Sequence, residues 1–200
     1  MGNCEEQLRE IKQSFRLVMN GVTAASQREK GLNYHLNWGA QLPHLVEMAS
    51  QYEKDYHLAV ALWKENIREC KILASMLMPP MDMPEEVVDI WMEQMPTQEI
   101  AELTSMYLFQ YLPFAERKAL QWLSSDSQLT LLCGYNTLSR LIQSGKMDPT
   151  ERQLNEMMDQ AQTVMAGTDL VVKKAVLNCM NKIADKGEMY ERMLEKAKLI

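Results

Sequence analysis

The residues of this chain that could do chemistry are cations and carboxylates set at helical spacing. Lys64, Arg68 and Lys71 recur at i, i+4 and i+7, and Lys174, Lys182 and Lys186 recur at multiples of four, with Asn178 between them and Lys173 adjacent. A step of four residues drifts slowly around a helix, so each set forms a stripe on one face. Such stripes suit successive phosphates of a nucleic-acid backbone. They also suit ordinary solvated surfaces, and spacing alone leaves both readings open. Carboxylates gather at Glu85, Glu86, Asp89, Glu93, Glu99 and Glu102; most of these are expected on solvated helix faces.

Other chemistries lack their groups. No Ser, Cys or His sits in an elbow or triad pattern, and no glycine-rich loop precedes a helix to cradle phosphate. His35, His44 and His57 are dispersed, and Cys4, Cys70, Cys133 and Cys179 are far apart. That spacing predicts neither a metal site nor a disulfide framework, and implies reduced thiols in a cytoplasmic protein without a cofactor. The first residues, MGNCEEQLREIKQSF, hold no apolar signal region, and Glu6 occupies the position where a myristoylation pattern needs Ser or Thr. The longest apolar run, near Ile72 to Met83, is interrupted by Pro79, Pro80 and Asp82, so no membrane partner is expected.

Helices must position these groups. The chain has 200 residues, 46% of them apolar, enough for one sizeable core, and only 8 glycines and 7 prolines interrupt it. Alternating β-branched runs are scarce, which predicts an all-α protein. A net charge of -6 discourages polyanion binding globally. An array of helices can still keep an acidic back and a basic front.

Prolines set a rhythm. Pro43, Pro84, Pro113 and Pro149 each stand at the start of a helical pattern, at intervals of 41, 29 and 36 residues. This is the length of a helical hairpin repeat, and it predicts a HEAT/armadillo-like superhelical array of antiparallel helix pairs. Residues 1–42 form an N-terminal cap and connection, 43–187 about four hairpins, and 188–200 a C-terminal helix. The cap helix runs from Cys4 to Val22, and Gly21, Gly31 and Gly39 mark a looser connection. The second unit begins at Pro84, breaks at Pro96 and resumes at Thr97. The third unit turns at Ser124-Ser125-Asp126; the fourth starts with Asp148 as N-cap, stops at Gly167 and restarts from Asp169.

The segment LAVALWKENIRECKILASMLMPP, from Leu58 to Pro80, divides into an apolar face and the first cationic row, as one helix or as two meeting near Glu65 and Asn66. Trp63, Trp91 and Trp122 fall on apolar stripes and are expected in the core, as are most of the 17 methionines. Trp38, beside Gly39 in the connection, stays open between core and function.

That segment, preceded by GAQLPHLVEMA and followed by PEEVVDIWMEQM, resembles the DNA alkylation repair family, the HEAT-like-repeat glycosylases acting on alkylated purines. The likeness continues through PFAERKALQW and DLVVKKAVLNCMNKIADKG. It implies an array gripping duplex DNA in a basic concave groove and hydrolysing the N-glycosidic bond of a cationic 3- or 7-alkylpurine. Its chemical residues are an Asp, two Trp and an assisting Arg. Alkylation makes the purine a good leaving group, so the protein needs chiefly a carboxylate facing the developing oxocarbenium charge and aromatic surfaces to hold the sugar.

Those positions are substituted in this chain. The family's Trp-Asp-x-x-Asp falls on Gln98-Glu99-Ile100-Ala101-Glu102, the second Trp on Asn178, and the Arg near Leu131 and Leu132. A carboxylate without its aromatic clamps loses positioning, and a misplacement of about 1 Å costs roughly 100-fold. The resemblance therefore implies a degenerate member with weak or lost activity that retains DNA through Lys64, Arg68, Lys71, Lys173, Lys174, Lys182 and Lys186. Two alternatives stand beside it: an active glycosylase using Glu102, and a protein-interaction scaffold that has abandoned DNA.

Overall fold

The computed structural model describes residues 2–200, which form twelve α-helices and three short 3-10 turns. Among these residues there is no β-strand, only an isolated parallel bridge between Leu36 and Ile67. The chain divides into two compact units, Met1–Leu108 and Phe109–Ile200.

The first unit contains α1 (Gly2–Ser14), α2 (Gly21–Glu29), α3 (Leu42–Ala49), α4 (Tyr56–Lys64), α5 (Arg68–Leu77), α6 (Glu85–Glu93) and α7 (Gln98–Tyr107). The expected cap helix ends early: a 3-10 turn at Phe15–Leu17 closes α1, and Asn20 starts α2 by accepting a hydrogen bond from the Thr23 N–H. Helix α2 thus occupies part of the stretch expected to be a loose connection.

Helices α4 and α5 pack as an antiparallel pair, and α5 also meets α3 and α7. The break between them falls at Glu65 to Ile67, whose backbone is extended because Ile67 pairs with Leu36 and the Arg68 N–H donates to the Leu36 carbonyl. Every residue of α5 is buried, its charged ones included. Trp63 of α4 lies flat on Trp91 of α6, ring centres 4.0 Å apart and planes 2° from parallel, and its indole N–H donates to Gln94. Aromatic faces of this size anchor a core through apolar area.

Gly39 seats the connection. Its φ is +71°, and a Cβ there would lie 2.1 Å from the Asn20 carbonyl oxygen and 2.8 Å from the Ala24 nitrogen. Only glycine tolerates both the left-handed backbone and this approach to α2.

The second unit contains α8 (Ala115–Trp122), α9 (Gln128–Gln143), α10 (Glu151–Ala166), α11 (Leu170–Ala184) and α12 (Glu188–Lys196). Helix α9 is its centre, packed on α8 and α11, and α11 in turn meets α10 and α12. Gly134 allows α9 to approach α8, since a Cβ there would stand 3.1 Å from the Ala119 carbonyl oxygen. Three helix starts differ from expectation by one or a few residues. Ser127, not the preceding turn, caps α9. Thr150, not Asp148, caps α10 in a reciprocal box with Gln153, so Pro149 lies just outside that helix. Pro113 likewise precedes α8, whose cap position is Phe114. Asp169 caps α11 as expected, accepting from the Val171 and Val172 N–H groups.

Buried methionines, Met48, Met76, Met78, Met83, Met95, Met147, Met157 and Met180, fill gaps in both units. Cys70, Cys133 and Cys179 are buried thiols. Burial pushes the Cys179 thiol up to about 12, away from the thiolate that reactivity requires.

Candidate nucleic-acid interface

The first cationic row does not form a stripe. The helix breaks after Lys64, so Lys64 ends α4 while Arg68 opens α5, and their spacing no longer maps to one cylinder. Lys64 is exposed. Arg68 and Lys71 are 3% and 8% exposed, and both charges are engaged inside the unit, so neither offers a cation to a phosphate.

Arg68 joins three segments. Its Nε and Nη2 donate to the two Glu99 oxygens at 2.8 and 2.6 Å, and its Nη1 donates to Glu69 at 3.1 Å and to the Ala40 carbonyl at 2.9 Å. The fork-on-fork pair with Glu99 is the strongest geometry available to a guanidinium. A cation at a helix N-terminus opposes the helix dipole. Here two carboxylates, Glu69 in α5 and Glu99 in the first turn of α7, offset it. Glu69, fully buried, also accepts the Trp38 and Ala40 backbone N–H groups, which ties the connection to α5.

Glu99 accepts a further bond from the Tyr34 hydroxyl. That hydroxyl has one proton and gives it to the carboxylate, so at the 2.7 Å contact between Tyr34 and Thr97 the Thr97 hydroxyl is the donor. Burial by itself would raise the Glu99 carboxyl; the Arg68 hydrogen bonds and charge, with Tyr34, outweigh it and hold Glu99 below the ordinary carboxylate range. Tyr34 moves the other way, pushed up by burial and by the Glu99 charge. Lys71 has no carboxylate partner in this set. Its ammonium donates to the Trp63 carbonyl and lies 4.5 Å from the Trp63 ring centre, and burial lowers its affinity for the proton.

Glu102 stands apart from this network. It is exposed, and its hydrogen bond comes from the half-buried Gln98 amide one turn earlier, at 2.9 Å. The two substituted family positions on α7 are therefore neighbours on one helix face, and the intervening Glu99 turns inward to Arg68. Sequence reasoning singled out Glu102 and passed over Glu99. The usable signal was an Arg-Glu pair opening an apolar helix, because such charges enter a core only with partners.

The second unit carries part of the other row outward. Lys174 and Asn178 are exposed on α11, with Asn181 one turn further, and the same face shows Leu170 and Leu177. Lys174 makes no salt bridge with any described residue. Lys173 and Lys182 are half-buried at the edges, and Lys182 lies 3.6 Å from Asp185. Lys186 is paired with Asp148 at 2.8 Å, which clips the end of α11 to the start of α10. Leu131 and Leu132, where the family's Arg was expected, are half-buried and buried positions of α9. Among the described residues no cluster of three or more His, Cys, Asp or Glu could hold a metal ion.

A family model described as DNA alkylation repair enzyme matches residues 11–192. The chain belongs to that family. No curated protein matches its sequence. Among solved structures it is similar to one described as "a new family of proteins related to the HEAT-like repeat DNA glycosylases with affinity for branched DNA structures". The similarity has a TM-score of 0.80 at 17% identity over 95% of this chain and 80% of the other. At that identity the likeness establishes the fold, an all-helical HEAT-like repeat fold. No helix is long and apolar enough to cross a membrane among the described residues.

Proposed function

We propose that this DNA alkylation repair family protein binds duplex DNA through the exposed face of α11 and has weak or no N-glycosidic hydrolysis. The observation that carries the reading is the setting of Glu102. A carboxylate stabilises an oxocarbenium ion best when it is fixed in a site shielded from water, where its charge is little screened. Glu102 instead projects into solvent, steadied by Gln98 where the family has a Trp. The other substituted aromatic position, Asn178, is an exposed amide between Lys174 and Lys182. An amide offers hydrogen bonds to a phosphate or sugar and no stacking surface.

Charge distribution supports the same reading. Residues up to Leu108 hold nine of the 21 cations and sixteen of the 27 carboxylates, a net of -7; from Phe109 onward twelve cations meet eleven carboxylates, a net of +1. The acidity that argues against DNA belongs to the first unit. The structurally similar protein's affinity for branched DNA, in a family related to the glycosylases, is in keeping with binding separated from base excision.

Two assays on the full chain test this. Duplex affinity should fall with added salt, as expected when cations displace condensed counterions, and should fall further in a Lys174→Ala/Lys182→Ala variant. Incubation with methylated DNA should release no 3- or 7-alkylpurine above the level given by Glu102→Gln. Release that disappears in Glu102→Gln would establish an active glycosylase and overturn the proposal. Duplex affinity unchanged by salt would remove its electrostatic basis.

A further inference from the structure

A cavity of about 380 Å³ lies in the first unit, lined by α1, by Arg16 in the turn that follows it, by Leu36 and Trp38 of the connection, and by Ile67. Its size falls in the range of small-molecule sites, roughly 300 to 1,000 Å³. Its lining divides cleanly. Leu8, Leu36, Trp38 and Ile67 offer an apolar and aromatic surface, while Arg9, Lys12 and Arg16 approach from one side. Arg9 and Lys12 stand one turn apart on α1, and Arg16 follows in the turn beyond it.

Two features mark it as unfilled demand. The first is charge. The surrounding unit has a net charge of -7, yet three of its nine cations meet at this cavity with one carboxylate, Glu5. Lys12 is already tied to Glu65 at 2.8 Å. Arg9 and Arg16 are exposed and make no salt bridge with any described residue. The second is the aromatic surface: Trp38 is half-buried, and it lines the cavity while its indole N–H is shielded. The Trp38 backbone is held firmly, its N–H by Glu69 and its carbonyl by the Asn20 N–H.

We propose that this cavity takes one unstacked nucleotide of a DNA strand, its base against Leu36, Trp38 and Ile67 and its phosphate between Arg9 and Arg16. The assignment rests on the DNA-binding reading given above. Bases lying on aromatic side chains beside a backbone-tracking cation are a general mode of single-strand recognition. Arginine forks match phosphate oxygens in pairs. Strand branch points and flaps supply unpaired nucleotides, whereas a continuous duplex does not, so the cavity adds a preference that the α11 face cannot supply.

Two measurements on the full chain test it. The Trp38 indole N–H resonance, identified by its absence in Trp38→Phe, should shift saturably as dAMP is added, and at least tenfold more weakly with deoxyadenosine, which lacks the phosphate. Arg9→Gln/Arg16→Gln should reduce dAMP affinity at least tenfold while circular dichroism stays unchanged. A duplex carrying a single-nucleotide 5′ flap should bind more tightly than its blunt counterpart, and the double variant should lose that preference but keep blunt-duplex binding. No Trp38 response to dAMP, with duplex binding intact, overturns the cavity proposal alone. A saturable dAMP response in a chain that binds no duplex overturns the DNA reading and with it the strand assignment. Equal affinity for flap and blunt duplex in the native chain likewise overturns the assignment to a strand.

Discussion

The two units share one architecture of paired helices but use their cations in opposite ways. In the first, the central helix α5 is buried end to end, and its Arg68 and Lys71 act as internal fasteners. In the second, the central helix is α9, and α11 beside it turns Lys174 and Asn178 to solvent. Cations at helical spacing thus join a core network in one place and reach solvent in the other. What differs is the supply of partners. Glu69, Glu99 and Tyr34 converge on Arg68, whereas Lys174 has nothing to hold it inward. Cation spacing by itself says that a stripe is possible; only the placement of counter-charges says which way it faces.

The contrast can be broken most forcefully at Arg68. Arg68→Leu leaves two carboxylates beside one another with no compensating charge, and should cost about 3–5 kcal/mol in urea unfolding. Gly39→Ala combines a left-handed backbone with a close approach to Asn20, and should cost about 2 kcal/mol or more by the same measurement. Thr97→Ala removes the α7 cap and the hydroxyl that donates to Tyr34, an expected loss of about 1–2 kcal/mol.

Acid provides a milder test of the first unit. The Glu99 carboxyl holds its proton less tightly folded than unfolded, where a glutamate titrates near about 4.3. Its contribution to stability is therefore fully present above that value and is lost as pH falls through the lower folded one. Unfolding midpoints of the native chain should drop in this acid range, and those of Glu99→Gln should drop less. The smallest structural effect belongs to the second unit. Lys174→Ala should change stability by no more than about 0.5 kcal/mol while reducing the salt slope of duplex binding by about 1. A large loss of stability at Lys174, or none at Arg68, would erase the distinction between the units.

Much of the fold was legible because it depends on local signals. Apolar periodicity, the Pro96 break, the restart at Thr97, the Asp169 cap and the Gly167 stop can each be read within a few residues, and the break near Glu65 and Asn66 was one of the two readings of the Leu58 to Pro80 segment. Helix α2 was hidden because Gly21 lies at its first position, and glycine there resembles a loop. The candidate site was less legible. Glu99 pairs with Arg68 across 31 positions and with Tyr34 across 65, and no local pattern announces contacts so distant. On α11 only Lys174 and Asn178 of the expected row are exposed without a salt bridge, because Lys186 is drawn to Asp148 across 38 positions. Trp38, left open between core and function, proves half-buried at the edge of a cavity, a position that belongs to neither simple class.

The Arg68 network also constrains the order in which the first unit can assemble. A guanidinium this deeply buried cannot leave water ahead of the carboxylates that receive it, and one of them arrives on α7, 31 residues later. Helix α5 therefore cannot settle into its final place on the strength of its neighbours α3 and α4 alone. A chain ending before Thr97 should lack a cooperative unfolding transition even though it retains α1 to α6, and the transition should return when α7 is restored. The helix that displays the altered family positions on its outer face is, on its inner face, what allows the first unit to close.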